Sequence, residues 1–193
     1  MIKEFTDFLS QFSFLRPSDV KKLVGIAQLK RYKKGDVVIA AGSRDKNLYL
    51  TVKGFFRTYV VRSDGEERTV YLAGPGMGFG STKSVYRDEL GNETVEALEN
   101  SMAICWDFVE LMNACEESPR LCKLYNKLLE RNLIEAVERL EFHSVMNPDQ
   151  RYEYLLKNRP ELMKSVPLKY IASYIGITPV SLSRLRARIA KPS

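Results

Sequence analysis

Residues 178–190 read TPVSLSRLRARIA. Arginines stand at 184, 186 and 188, serines at 181 and 183, and no acid falls among them. A guanidinium can give two parallel N–H bonds to O6 and N7 of guanine in the major groove, whereas serine hydroxyls and helix-terminal amides hold phosphate oxygens. Val180 offers only apolar contact, such as to a thymine methyl. The chemistry of Val180, Ser181, Ser183, Arg184, Arg186 and Arg188 is therefore that of a helix laid in the major groove. Thr178 and Lys169 complete the expected DNA contacts. A helical hairpin that binds nothing, or that meets another protein, is the competing reading.

Such a helix needs a scaffold, and the preceding residues supply one. The run LKYIASYIG predicts a first helix, with Gly176-Ile177 as the turn into a second. Glycine reaches the positive φ that this turn requires. Ala172 is small enough to let the second helix approach, while Ile171, Ile175, Ile177, Leu182 and Leu185 fall where the two helices share a core. Thr178 is placed to cap the second helix and Pro179 suits its first turn. Together these choices predict a helix-turn-helix from Pro167 to Ala190.

Charge is divided to match. The chain has 193 residues and a formal net charge of +6. Residues 151–193 hold nine Lys/Arg against two Asp/Glu, and residues 1–150 hold 21 against 22. A near-neutral domain joined to a basic one implies a polyanionic partner, here double-stranded DNA.

Upstream, residues 119–146 carry helical periodicity. Leu129, Leu133, Ala136, Leu140 and His143 recur in steps of four and three, and Cys122 and Asn126 extend the seam. This repeat fits a two-helix coiled coil, so the chain is expected to pair with a second copy of itself. Leu121, Leu124 and Leu128 form a second stripe suited to packing on strands. Asn147-Pro148-Asp149-Gln150 reads as a helix stop followed by a capped restart. The domain boundary is placed there, and the next helix is expected to end before Pro160.

Residues 31–107 alternate short β-rich runs with turn signals. The runs are GDVVIA, NLYLTV, FFRTYVV, RTVYLA, TVEAL and MAICW. Asp64-Gly65 between two of them is a strong hairpin signal. The pattern predicts a small antiparallel sandwich or barrel. Residues 3–15 and 17–30 carry helical spacing.

Several classes are excluded. No apolar run approaches the roughly 20 residues of a membrane span, and the N-terminus lacks the pattern of a signal peptide. A cytoplasmic location is expected. Cys105, Cys115 and Cys122 match no zinc spacing or disulfide framework and are expected to be buried thiols. There is no G-x-S-x-G and no phosphate loop ending in G-K-[ST]. The glycines at 74, 76, 78 and 80 lack the βαβ context of a dinucleotide site. No enzyme and no cofactor are expected.

The run KGDVVIAAGSRDKNLYLTVKGFFRTYVVRSDGEERTVYLAGPGMGFG, followed by TVEALENSMAICWD, resembles the cyclic-nucleotide-binding-type β-roll of the Crp/Fnr family. Residues 119–146 and 167–190 are similar to that family's dimerisation helix and helix-turn-helix. The resemblance implies an α+β fold: a β-roll over residues 1–118, the dimerisation helix over 119–146 and a DNA-binding domain over 147–193. It further implies a homodimer on DNA, with RNA polymerase as a partner. The candidate effector pocket comprises Gly80, Ser81, Thr82 and Arg87. There the chain departs from the cyclic-AMP-binding pattern. Gly80-Ser81-Thr82 stands where those members carry a carboxylate for the ribose, and Gly91-Asn92-Glu93 where they carry the arginine for the phosphate. A buried phosphate without a cation is costly, so the effector is expected not to be cyclic AMP. No cysteine precedes Cys105, which argues against the iron–sulfur mechanism of the oxygen-sensing branch. A small-molecule sensor whose DNA binding is secondary is the alternative reading.

Overall fold

The computed structural model describes Phe5 and residues 8–189. Among the described residues eight strands form two four-stranded antiparallel sheets. One has the order β1 (Gln28–Tyr32), β8 (Ser101–Asp107), β3 (Asn47–Lys53), β6 (Gly78–Phe79). The other has the order β2 (Val37–Ile39), β7 (Thr94–Ala97), β4 (Phe56–Val61), β5 (Glu67–Ala73). Between them lies a core that includes Ile39, Phe56 and Val95 from one sheet and Tyr49, Phe79 and Ala103 from the other. The Asp64-Gly65 turn joins β4 to β5, with Gly65 at φ 83°.

The helices are α1 (Pro17–Gly25), α2 (Thr82–Arg87), α3 (Phe108–Glu117), α4 (Pro119–Ser144), α5 (Pro148–Asn158), α6 (Pro160–Ser165), α7 (Leu168–Ile175) and α8 (Pro179–Ile189). The helix expected over 17–30 is shorter. It ends at Gly25, and Gln28–Tyr32 pair instead with β8. Helical spacing in QLKRY yields to a non-local partner: without β1, the backbone groups along that side of β8 would lack hydrogen bonds.

Two further cores flank the sandwich. On one side Leu50, Ile104 and Trp106 meet Leu111 and Cys115 of α3 and Leu121 and Leu124 of α4. Asp19 ties α1 to the start of α4. Its carboxylate accepts hydrogen bonds from Ser118 Oγ at 2.7 Å and Arg120 Nε at 2.6 Å. The Arg120 guanidinium holds the Asp19 carboxyl well below the usual carboxylate range. On the other side, Phe55, Leu72 and Leu98 of the sandwich share a core with Phe142, Leu155, Leu162, Ile171, Ile175 and Leu182. The C-terminal helices thus lean on the roll of their own chain.

Cys105 and Cys115 are buried, as expected, but Cys122 is exposed on α4. The heptad places it one turn before Asn126 on the outer side of the helix, where the roll does not reach. Among the described residues no helix is long and apolar enough to cross a membrane.

Candidate nucleic-acid interface and ligand cavity

The predicted turn between α7 and α8 forms through local chemistry. Gly176 adopts φ 88° and its N–H donates to Ala172 O at 2.9 Å. Ile177 N donates to the same carbonyl at 3.0 Å. Thr178 Oγ1 accepts from Ser181 N at 3.1 Å, which caps α8. Ile171, Ala172 and Ile175 are fully buried, with Leu182 and Leu185 nearly so.

All of Lys169, Thr178, Val180, Ser181, Ser183, Arg184, Arg186 and Arg188 are exposed. With about 3.6 residues per turn, the direction opposite Leu182 and Leu185 is held by Val180, Ser183, Arg184 and Ala187. Arg186 and Arg188 stand on the flanks, and Arg188 pairs with Asp149 of α5. Among the described residues Arg184 and Arg186 have no acidic partner in ion-pair range, so their guanidinium groups face solvent uncommitted. Ala187, exposed at the centre of this face, was missed in the sequence because alanine carries no chemical signal of its own.

The helix-turn-helix is held in place by two arginines. Arg151 of α5 donates to Phe142 O at 2.9 Å, His143 O at 2.6 Å and Ile175 O at 2.8 Å. It joins the last turn of α4 to the last turn of α7. Arg57 of β4 is buried and donates to Glu67 at 2.7 Å, Glu96 at 2.9 Å and Thr69 Oγ1 at 2.8 Å. Its guanidinium lies between the rings of Tyr59 at 4.3 Å and Tyr170 of α7 at 4.2 Å. Ser173 of α7 completes the seam: its hydroxyl accepts from Thr69 N at 2.9 Å and donates to Glu67 O at 3.1 Å. These bonds occupy the free edge of β5. Sequence reading missed them, since nothing local in Arg57 or Ser173 signals a partner over a hundred residues away.

His143 sits beside this joint. Its ring packs edge-on to Phe142 and Tyr174, and Nδ1 is buried without a hydrogen-bond partner. Burial, reinforced by Arg151 of α5, Arg68 of β5 and Arg139 of α4, pushes its pKa down to about 4 from 6.5. The folded chain therefore binds fewer protons here than the unfolded chain between those two values. Stability contributed by neutral His143 is complete above pH 6.5 and is lost as pH falls toward 4. Urea midpoints measured across that window are expected to fall with acidification in the wild type and to fall less in H143Q. Equal slopes would show that His143 is not the titrating group.

The predicted dimer seam is divided by the fold. Leu129 and Ala136 are half-buried and face a cavity, Leu133 stands at the rim of that cavity and is 67% exposed, and Leu140 lies outside it and is 66% exposed. Ile134 and Val137, absent from the predicted set, join the exposed stripe at 58% and 48%. The reason is azimuth: residues seven apart share a direction, so Leu129 with Ala136 and Leu133 with Leu140 form two separate rows.

The cavity, about 700 Å³, lies between the roll and α4. Gly80 and Thr82 line it. Ser81 is fully buried, with its hydroxyl 3.1 Å from that of Ser84. Arg87 is exposed and stands outside the cavity lining. It fails as a pocket cation because α2 turns it to solvent. Glu93, by contrast, is in the wall. A Cβ on Gly91 would fall 2.5 Å from Ser81 Oγ, so side chains fill the space beside this loop.

Residues 29–118 match the family model described as the cyclic nucleotide-binding domain. The anaerobic regulatory protein of Pasteurella multocida is 25% identical over 191 residues, covering 92% of this chain and 68% of that protein. The fumarate and nitrate reduction regulatory protein of Yersinia pestis is 25% identical over 179 residues, covering 86% of this chain and 70% of that protein. Among solved structures, FixK2 from Bradyrhizobium japonicum superposes with a TM-score of 0.71 at 17% identity, over 85% of this chain and 84% of that one. The regulator CLP from Xanthomonas campestris gives 0.70 at 14% identity, over 90% and 91%. The chain thus carries a cyclic nucleotide-binding domain over residues 29–118, and with this roll, a long helix and a helix-turn-helix in that order it is similar along most of its length to regulators of the Crp/Fnr type.

Proposed function

We propose that the chain is a sequence-specific, DNA-binding transcription regulator that acts as a cytoplasmic homodimer and not as an enzyme. One observation carries the reading: α8 presents Val180, Ser183 and Arg184 outward, flanked by Arg186 and Arg188, with no acid on that face. Arg184 reads a guanine, Val180 makes an apolar contact, and Arg186, with Lys169 and the capped start of α8, holds phosphates, joined by Arg188 when it exchanges Asp149 for a phosphate. The exposed row of α4 pairs two copies, so that two recognition helices meet successive turns of the major groove. RNA polymerase is the partner through which such a dimer acts. Glu93 in the cavity wall supports an effector other than cyclic AMP.

The experiment is selection of bound duplexes from a random pool, then titration of the winner at several salt concentrations. A two-fold symmetric site with half-sites about 34 Å apart is expected. Affinity should fall steeply with salt as condensed counterions are released. R184A should cost roughly 1–3 kcal/mol and relax preference at one base pair per half-site. R186A should weaken all sequences alike. Binding to no duplex, or binding without salt dependence, would overturn the reading.

A further inference from the structure

Two guanidinium groups lie against the turn between α7 and α8. A Cβ on Gly176 would fall 2.9 Å from Arg68 Nη2 and 3.1 Å from Arg151 Nη1, so the bare glycine lets both rest on the backbone. The two arginines are not equally engaged. Arg151 donates to three carbonyls at the ends of α4 and α7. Arg68, on β5, is half-buried, and among the described residues it makes no hydrogen bond and has no acid within ion-pair range. Of the acids in its own hairpin, Asp64 pairs with Arg62 and Glu67 with Arg57, while Glu66 reaches no cation. Burial and the charges of Arg151 and Arg62 lower the pKa of Arg68 from its usual value. Like charges thus converge beside the start of α8 with no anion of the protein between them.

Strand register brings Arg68 to this place. Arg68 pairs with Val60, Thr69 with Tyr59 and Tyr71 with Thr58, so Val70 is bulged out of register. Thr69 faces Arg57 and Ser173 of the joint with α7. The bulge sets Tyr71 on the opposite face of β5, where it meets Glu135 of α4. Ordinary alternation sets Arg68 on that face too, from which its guanidinium reaches Gly176.

We propose that Arg68 holds a DNA backbone phosphate beside the groove that α8 enters, which makes the β-roll itself part of the nucleic-acid interface. Thr178, at the capped start of α8, is only two residues from Gly176, within ~7 Å along the chain. A phosphate held at that helix start is therefore within reach of the guanidinium. A phosphate oxygen accepting from Arg68 also relieves its repulsion with Arg151. Phosphate contacts carry no base information, so Arg68 raises affinity for every sequence alike. The contact rests on the reading of α8 as a recognition helix.

The test titrates the whole chain with the selected duplex and with an unrelated duplex at several salt concentrations. R68Q should weaken both duplexes by roughly tenfold and lower the slope of log K against log salt by about one. R68K should keep the slope, because a phosphate accepts from an ammonium as well. Lys33→Gln is the control for charge alone: it lies in the turn before β2, at the opposite edge of the sheet from β5, and should leave the slope unchanged. Since R68Q removes a repelled cation, its melting temperature should equal or exceed that of the wild type. Inorganic phosphate at constant ionic strength, without DNA, examines the other source of the anion. The inference is overturned if R68Q keeps the wild-type slope, if K33Q lowers it as much, or if R68Q melts below the wild type. It is also overturned if phosphate raises the melting temperature of the wild type and not of R68Q while the DNA slope stays the same, which would assign the site to a free anion. A wild type that binds no duplex overturns the regulator reading and this contact together, whereas a wild type that binds and an R68Q that matches it overturn the contact alone.

Discussion

Arg57→Leu is expected to be among the most destabilising single substitutions on the surface between the roll and the DNA-binding helices. Arg57 is 1% exposed and satisfies Glu67, Glu96 and Thr69 together. Removing one partner of a buried ion pair typically costs about 3–5 kcal/mol, because the remaining charge stays desolvated. The Glu67 side chain is 47% exposed and can turn to water, whereas that of Glu96 is only 16% exposed and cannot do so freely. The expected loss is therefore about 3 kcal/mol, at the low end of that range. Part of it should be local. Leucine cannot stack between Tyr59 and Tyr170, so α7 loses its cation–π contact with the roll. Urea unfolding would measure the total, and hydrogen exchange in α7 would show whether the joint opens first. A loss under about 1 kcal/mol would mean that the carboxylates find other partners and that Arg57 is not the hub of this joint. Ser173→Ala serves as the milder companion. It strips two hydrogen bonds from the edge of β5 and should cost about 1–2 kcal/mol, with its effect again concentrated in α7.

If two copies pair through α4 as proposed, the double substitution L133D/L140D is expected to leave a folded monomer. The two leucines form one exposed row on α4 with Val137, and Ile134 lies beside it. Burying each leucine against a partner helix is worth roughly 1.5–3 kcal/mol, and two copies bring four of them. Replacing these with carboxylates also places like charges across the seam. Neither residue belongs to the buried clusters of its own chain, and Leu133 touches only the rim of the cavity, so the monomer should keep its melting behaviour. Light scattering would read the assembly state, and affinity for the selected duplex would fall with it, since each monomer reaches only one half-site. A variant that stays dimeric would place the interface elsewhere on the molecule. A variant that unfolds would show instead that this row packs within the protomer.

Much of this protein could be read where local chemistry and local structure coincide. The turn at Gly176 needs a positive φ, the cap at Thr178 needs an oxygen three residues before its N–H partner, and the long helix needs apolar residues at steps of three and four. Each condition is met within a few residues of chain, so the helix-turn-helix, α4 and most strands were legible from the sequence. The acid-free run of arginines gave the outward chemistry of α8 in the same way. Charge sign and helical phase are properties of the sequence itself.

Only the tertiary structure decided what depends on distant partners. Gln28–Tyr32 became a strand because β8 required a neighbour, and that requirement arises some seventy residues away. Leu129 and Ala136 turned to the cavity, Leu133 stayed largely exposed at its rim and Leu140 turned to solvent, because the roll lies against one side of α4 and no periodicity states which side. Arg87 left the pocket through the orientation of α2, and Arg139, unmarked in the sequence, entered it. The one-residue slip at Val70 set Tyr71 and Thr69 back to back. Sequence thus fixes the period and charge of each element; which face is buried, and which charges are left unpaired, follows from how elements far apart in the chain close on one another.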